Sequence, residues 1–191
     1  MFDQIRANCL IGARRVLART PLRRFVRQEE GAAAVEFAMV AAPFLALIFA
    51  IIETAVVFFA GQTLETAVAD ASRLILTGQA QQQNFDAAAF KQALCARIFG
   101  LFDCANGVKV DVQKYSSFGG SNTAKPLDPA GNLQAGFGNN YQPGGPGEIV
   151  VVRAVYEWPV YVQLLGFNLA DMKNGKRLVM ATAAFRNEPY Q

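Results

Sequence analysis

The chain of 191 residues is long enough for one domain, or for one small domain with an appended segment. It is 52% hydrophobic and only 17% charged, with a mean hydropathy of +0.19, so part of it is expected to avoid water. The lack of histidine excludes imidazole acid–base catalysis and histidine metal ligands, and three cysteines are too few for a disulfide scaffold or a four-thiolate zinc site.

The net positive charge of +3 comes from the N-terminus. Residues 1–31 contain seven arginines against three carboxylates, whereas the 130 residues after position 61 contain 11 cations and 10 anions. We therefore predict a basic cytoplasmic leader over 1–31, lying beside the anionic inner leaflet of a membrane. The near-neutral remainder argues against binding of nucleic acid.

A transmembrane helix is predicted over 32–61. Its apolar part, 37–60, has 24 residues and one charge, and as a helix it would measure about 36 Å, more than the hydrocarbon core of about 30 Å. Because the arginines precede it, the positive-inside rule predicts a single-pass protein with a cytoplasmic N-terminus and an exported C-terminal part. Removal as a secretory signal is the alternative, although the run is longer than a signal h-region.

A carboxylate, Glu36, lies at the start of this helix, where a charge in hydrocarbon costs a few kcal/mol and needs compensation. Cleavage after Gly31 would supply it, because the new α-ammonium of Ala32 would lie about one turn from Glu36. In a parallel bundle, Glu36 would then neutralise the amine of a neighbouring subunit. The alternative is that Glu36 only caps the helix dipole.

At this junction the sequence resembles the type IV pilin superfamily, and most closely the TadE-like minor pilins, or pseudopilins, of tight-adherence (Flp) pilus systems. The resemblance implies cleavage between Gly31 and Ala32 by a prepilin peptidase, and packing from Phe37 onward in a filament core. It rests on EEGAAAVEFAMVAAPFLALIFAIIE, FFAGQTLETAVADASRLILTGQAQ, the pair Cys95 and Cys104, and the ending ATAAFRNEPY.

Two residues inside the span have more than one interpretation. Glu53 follows Glu36 by 17 residues, about 260° around a helix, so the two carboxylates lie on different faces. Glu53 either reaches the outer interface as an isolated carboxylate or, as the resemblance implies, makes a polar contact between packed helices. Pro43 removes one backbone hydrogen bond and predicts a kink or local melting.

The exported part, 62–191, is predicted to be a small α+β domain. The helical pattern runs on to about residue 80, giving one helix of about 45 residues, and a polar break at 79–83 separates it from a second helix. The other expected elements are that helix at 85–99 with Asn84 as N-cap, antiparallel strands at 108–115, 148–157 and 177–186, a short helix at 160–165 after Pro159, and a turn at 174–175.

Residues 116–147 contain 8 of the 16 glycines and 4 of the 8 prolines, which predicts a long, irregular and flexible loop. Such a loop is either a plain surface connection or a contact at a filament tip or adhesive surface. Cys95 and Cys104 flank the end of the second helix in a compartment predicted to be oxidising. A disulfide between them would contribute about 2–3 kcal/mol, whereas metal binding would need more ligands than this region has.

No enzymatic motif or cofactor site is present in the sequence, so we predict neither activity nor cofactor. The resemblance implies a minor pilin or pilus-assembly subunit in Flp-type pilus biogenesis and adhesion, located in the bacterial inner membrane with a periplasmic domain, or in the extracellular pilus. Its partners would be the prepilin peptidase, the major pilin, other minor pilins and an inner-membrane assembly platform with its ATPase. The alternative is an uncleaved single-pass envelope protein whose exported domain binds other secretion components.

Overall fold

The computed structural model describes residues 30–98, 100–163, 166 and 168–190. Most of the predicted leader therefore lies outside the described residues. The elements are a long helix α1 (Glu30–Leu76), short helices α2 (Gln79–Gln82), α3 (Ala87–Cys95) and α4 (Cys104–Gly107), a 3-10 turn (Phe118–Gly120), and strands β1 (Lys109–Tyr115), β2 (Ile149–Pro159) and β3 (Lys176–Arg186). The predicted α+β class is confirmed, with one long helix, a second helix and a three-stranded sheet.

The sheet is antiparallel with the order β1-β2-β3, and all three strands were predicted to within two residues. Val152 of β2 lies opposite Val112 of β1 and Ala183 of β3. The β-branched residues of these segments favoured their prediction as strands, because such side chains pack well on a pleated surface. The turn at Asn174 and Gly175 is also confirmed, since Gly175 has a φ of 74° and donates its N–H to the Met172 carbonyl.

The main core lies between the sheet and the second half of α1. Small residues on the buried face of α1 are fully covered, which lets the helix approach the sheet closely. Phe90 and Leu94 of α3 are also fully buried and close one side of this core. The helix contributes Val57, Ala60, Leu64, Ala67, Val68, Ala71 and Ile75, a spacing of three and four residues that places them on one face.

The chain divides into two compact units, one ending at Ile48 and the other starting at Phe49. The described part of the first unit consists of α1 residues alone, and the helix continues through Pro43. The second unit contains the rest of α1, the sheet and the loops.

The predicted boundaries around the second helix were wrong. The long helix ends at Leu76, four residues early, and the polar break contains the single turn α2. Asn84 is not the N-cap of the next helix, because it adopts a left-handed φ of 52°. Asp86 takes that role, since its carboxylate accepts the Ala89 N–H at 2.7 Å. The predicted end at Phe99 lies outside the described residues.

The predicted short helix at 160–165 is also wrong over 160–163, which is irregular. The N–H groups of Tyr161 and Val162 that would start such a helix instead donate to the Glu53 carboxylate. The last two residues of the predicted helix, Leu164 and Leu165, fall outside the described part of the chain.

Residues 116–147 are irregular, as predicted, but they are anchored to the outer face of the sheet. Val112 of β1 donates its N–H to the Asn140 carbonyl at 3.0 Å and accepts from the Gln142 N–H at 2.9 Å. Phe137 packs with Val155 in a second, smaller core. The loop thus covers the sheet face that α1 leaves open, while its flexibility stays a prediction.

Candidate functional site

The residues of the predicted cleavage and assembly site lie on the first turns of α1. Gly31, Ala32, Glu36 and Phe37 are all exposed, and Phe37 leaves 74% of its surface uncovered. Within the described residues Glu36 forms no ion pair and accepts no hydrogen bond. These side chains are therefore open to a partner or a lipid, as the predicted roles require.

The first half of α1 exposes apolar side chains around its whole circumference. In its most apolar window of 18 residues the mean hydropathy is 2.4 and none of the window is buried. By length and composition it is a candidate membrane span, in the part of the chain that the structure describes. The exposed large side chains include Val35, Phe37, Met39, Val40, Phe44, Leu45, Leu47, Phe49, Ile51 and Ile52, each with about half of its surface uncovered or more.

Glu53 has a partner that the sequence did not reveal. Its carboxylate is 8% exposed and accepts the backbone N–H of Tyr161 at 2.5 Å and that of Val162 at 2.9 Å. Both donors follow the end of β2. Within this chain Glu53 therefore fixes the β2–β3 connection to the helix, and its predicted contact between packed helices stays a prediction.

The disulfide between Cys95 and Cys104 is present, with the two Cα atoms 5.5 Å apart. It joins the last residue of α3 to the first residue of α4. Asp103 caps α4 by accepting from the side chain and the backbone N–H of Asn106, and these bonds hold the pKa of Asp103 below its usual value. The predicted disulfide is confirmed and stabilises the approach to β1.

A buried ion pair was missed by the sequence analysis. Arg153 of β2 donates to Asp111 of β1 at 2.9 Å, and their side chains are 6% and 1% exposed. Asp111 also accepts from the Asn140 side chain at 2.9 Å, while the Arg153 guanidinium stacks over the Phe137 ring at 5.2 Å. The loop at 116–147 covers the pair, because both Asn140 and Phe137 belong to it.

The C-terminal residues form a strap across the end of α1. The N–H of Glu188 donates to the Leu76 carbonyl at 2.9 Å, and the Asn187 side chain donates to the carbonyls of Pro143 and Gly145. Gly78 has a φ of 78°, and a Cβ there would lie 2.2 Å from the Tyr190 ring. Only glycine fits at this position, which explains why α1 ends before it.

Sequence signals existed for some of these features. Asp86 is a standard N-cap residue two positions after the one chosen, and Gly78 is a helix-terminating residue inside a segment expected to be helical. The partners of Glu53 and Asp111 are 108 and 42 residues away in sequence, and no local pattern reports contacts at such distances.

Residues 31–73 match the model of a protein family described as TadE-like protein. The match covers the span and the first part of α1 that packs on the sheet, and it suggests a role in tight-adherence pilus assembly. Neither the curated proteins nor the solved structures gave a match. The family match agrees with the resemblance found from the sequence: over residues 31–73 the chain is similar to TadE-like proteins.

Proposed function

We propose that the chain is a minor pilin or pilus-assembly subunit of a Flp-type pilus, made as a membrane-inserted precursor and cut after Gly31. The observation that supports it best is the TadE-like helix, whose apolar first half is exposed throughout while its second half packs in a disulfide-bonded domain. A helix of this kind suits transfer between lipid and a bundle of like helices, because both surroundings cover apolar side chains.

The proposal includes partners and location. A prepilin peptidase acts at Gly31 and Ala32, the N-terminus faces the cytoplasm, and the domain lies in the periplasm or in the extracellular pilus. The major pilin, other minor pilins and an inner-membrane platform with its ATPase handle the mature subunit, which acts in pilus biogenesis and adhesion. The subunit itself carries out no reaction and needs no cofactor.

The first prediction concerns cleavage. Mature protein from the membrane fraction of a pilus-forming host starts at Ala32, has 160 residues and carries a net charge of −1, because the removed segment carries +4. Gly31→Ala blocks this step, since the peptidase needs the glycine, whereas Gly61→Ala is cut normally. Gly61 is a suitable control because it lies in the same helix, and its nearest neighbour to an added Cβ is Val179 at 4.0 Å.

Intact mass and N-terminal sequencing measure the outcome. A stable full-length chain, unchanged by Gly31→Ala or by loss of the peptidase, contradicts the pilin proposal. That result favours the second candidate, an uncleaved single-pass envelope protein whose domain binds other secretion components.

The second prediction concerns Glu36. Replacing it with alanine leaves membrane insertion intact but abolishes incorporation into pili, because the α-ammonium of a neighbour's Ala32 then lacks its counter-ion. Glu65→Ala is the control, since Glu65 is exposed on the same helix and its only hydrogen bond among the described residues is accepted from Gln62. Immunoblots of membranes and of sheared pili give the two readouts. Pili that contain the Glu36→Ala chain at normal levels refute the pairing.

A further inference from the structure

The contact at Glu53 joins two segments that are far apart in sequence. One is α1, and the other is the start of the β2–β3 connection, 159–163. The Glu53 carboxylate satisfies two N–H groups that no strand pairs, and those N–H groups compensate a carboxylate that is almost fully buried. Hydrogen bonds to a charged group are stronger than those between neutral groups, so the contact offsets the cost of placing a charge in apolar surroundings.

The surface around this contact is apolar and exposed. Phe58 and Phe59 lie about one to two turns beyond Glu53 and leave 69% and 64% of their surfaces uncovered, and Tyr161 leaves 80% uncovered. The exposed face of α1 becomes polar only at Gln62, followed by Glu65. Three large aromatic side chains that are exposed near the same level of the helix suit an apolar or interfacial environment better than water.

Length along α1 locates this patch relative to a bilayer. The segment from Gly31 to Ile52 measures about 33 Å as a helix, which already crosses a hydrocarbon core of about 30 Å. Continuing to Phe59 gives about 44 Å, the thickness of a bilayer with its headgroup layers, about 40–45 Å. These lengths put the outer boundary of the hydrocarbon core close to Glu53 and put Phe59 in the outer interfacial layer, where tyrosine side chains concentrate.

The cationic side chains near Pro159, at the end of β2, would favour contact with an anionic lipid surface. Lys176 pairs with Pro159 across the sheet and binds Glu157 at 3.2 Å, and Lys125 forms an ion pair with Asp171. Lys173 and Arg177 form no ion pair among the described residues; Lys173 lies near enough to Asp128 to help lower the pKa of that carboxyl, and Arg177 donates to the Leu169 carbonyl. These two cations would favour negatively charged headgroups over neutral ones.

We propose that residues 159–163, together with Phe58 and Phe59, form a lipid-docking surface that inserts into the outer interfacial layer of the membrane. Glu53 is its positioning residue, because it holds the loop against the helix. The inference rests on the proposed function only in that the chain must be membrane-anchored. The folded unit then sits directly on the bilayer, and the hydrocarbon span ends at Ile52, before Glu53.

Tryptophan fluorescence tests this proposal on the full-length chain. The single tryptophan, Trp158, is replaced by phenylalanine, and one new tryptophan is placed at Phe44, Phe118 or Tyr161. Each variant is reconstituted in vesicles of phosphatidylcholine and phosphatidylglycerol whose acyl chains carry bromine near the headgroup. Formation of the disulfide and circular dichroism check the fold. If Trp158→Phe does not fold, the same new tryptophans are introduced into the chain that retains Trp158. The emission of the parent chain is then subtracted from that of each variant.

The expected result is that lipid bromine removes most of the Tyr161→Trp emission and little of the Phe118→Trp emission, since Phe118 is exposed beyond the opposite end of β1. Phe44→Trp lies near the middle of the span and reports its insertion in matched vesicles whose acyl chains carry bromine near their ends. Its quenching without quenching of Tyr161→Trp overturns lipid docking and leaves the proposed function intact. If Phe44→Trp is not quenched either, the membrane anchor itself is refuted.

Two further measurements distinguish lipid from a second copy of the chain at this surface and test the role of Glu53. Protection of Tyr161→Trp from aqueous iodide without lipid quenching indicates a second copy at this surface and overturns the proposal. Glu53→Gln, which replaces one acceptor oxygen by an amide, reduces the lipid quenching of Tyr161→Trp and raises its quenching by iodide, whereas Glu65→Gln changes neither. Unchanged quenching in Glu53→Gln overturns its assignment as positioning residue.

Discussion

Glu53 shows how a single residue can have a role opposite to that suggested by its sequence position. A carboxylate within a run of apolar residues costs free energy when the run lies in hydrocarbon. A polar partner on another helix was therefore expected. The folded unit instead supplies two backbone donors from its own chain. The cost of the charge is offset locally, and this contact needs no second subunit.

At the same scale, Tyr141 has a buried hydroxyl without a hydrogen-bond partner among the described residues. Its ring packs on Phe90, with centroids 5.8 Å apart. An unsatisfied buried hydroxyl costs about 1–3 kcal/mol. We expect Tyr141→Phe to keep the ring contact and raise the free energy of unfolding by about 1 kcal/mol. Urea denaturation of the full chain in detergent measures it, with Tyr115→Phe as control, since the Tyr115 hydroxyl donates to Gln113.

The same substitution changes the pH dependence. Burial raises the pKa of Tyr141 to about 12, above its ordinary value of 10.0, so the native state holds this proton where the unfolded state has lost it. The stability linked to Tyr141 is therefore complete below pH 10 and is lost as the pH rises through about 12. Tyr141→Phe should make this alkaline loss smaller. If the free energy of unfolding fell equally in the unchanged protein and in Tyr141→Phe between pH 10 and 12, Tyr141 would not be the group responsible.

At the scale of elements, the buried pair of Asp111 and Arg153 ties β1, β2 and the long loop together. Removing one partner leaves the other charge buried and uncompensated, so Asp111→Asn should lower the free energy of unfolding by about 3–5 kcal/mol. The double variant Asp111→Val with Arg153→Met should lose less than Asp111→Asn alone, because no charge then remains buried.

Denaturant unfolding of the single and double variants measures the coupling. Limited proteolysis should also cut 116–147 faster in Asp111→Asn, since Asp111 binds the Asn140 side chain. Lys114→Met is the matched control: Lys114 and Glu148 pair across 3.3 Å with side chains 53% and 43% exposed, a contact that contributes at most about 1 kcal/mol. If Asp111→Asn and Lys114→Met lowered the free energy of unfolding equally, burial of the Asp111–Arg153 pair would not explain its contribution.

Element boundaries show which local signals suffice. The strands were placed to within two residues because β1 alternates strictly and all three are flanked by glycine or proline. The end of α1 was misplaced because Gly78 was read as part of a periodic helix, although its left-handed φ and the Tyr190 ring require glycine there. The helix at 160–165 is absent over its described part, where the N–H groups of Tyr161 and Val162 donate to Glu53, a contact that no local pattern reports.

At the scale of the whole molecule, the two compact units differ in how they cover their apolar side chains. The described part of the first is a single helix that exposes apolar side chains, as expected for contact with lipid or other helices. The second closes its own core with α1, α3 and the sheet, and it is stabilised by the disulfide and the C-terminal strap. The excess positive charge belongs to residues 1–31, so the basic pI of about 8.9 describes the precursor and not the subunit proposed to remain after cleavage.

The sequence by itself determined the long apolar helix, the three strands, the disulfide and the TadE-like character. These depend on hydrophobic periodicity, on residue spacing and on a contiguous motif, all of which are local. Only the tertiary structure decided the partners of Glu53, the buried pair of Asp111 and Arg153, and the strap at Tyr190. Those contacts join residues 42 to 112 positions apart, and burial selects them because an unpaired polar group in a packed interior costs more than it does in water.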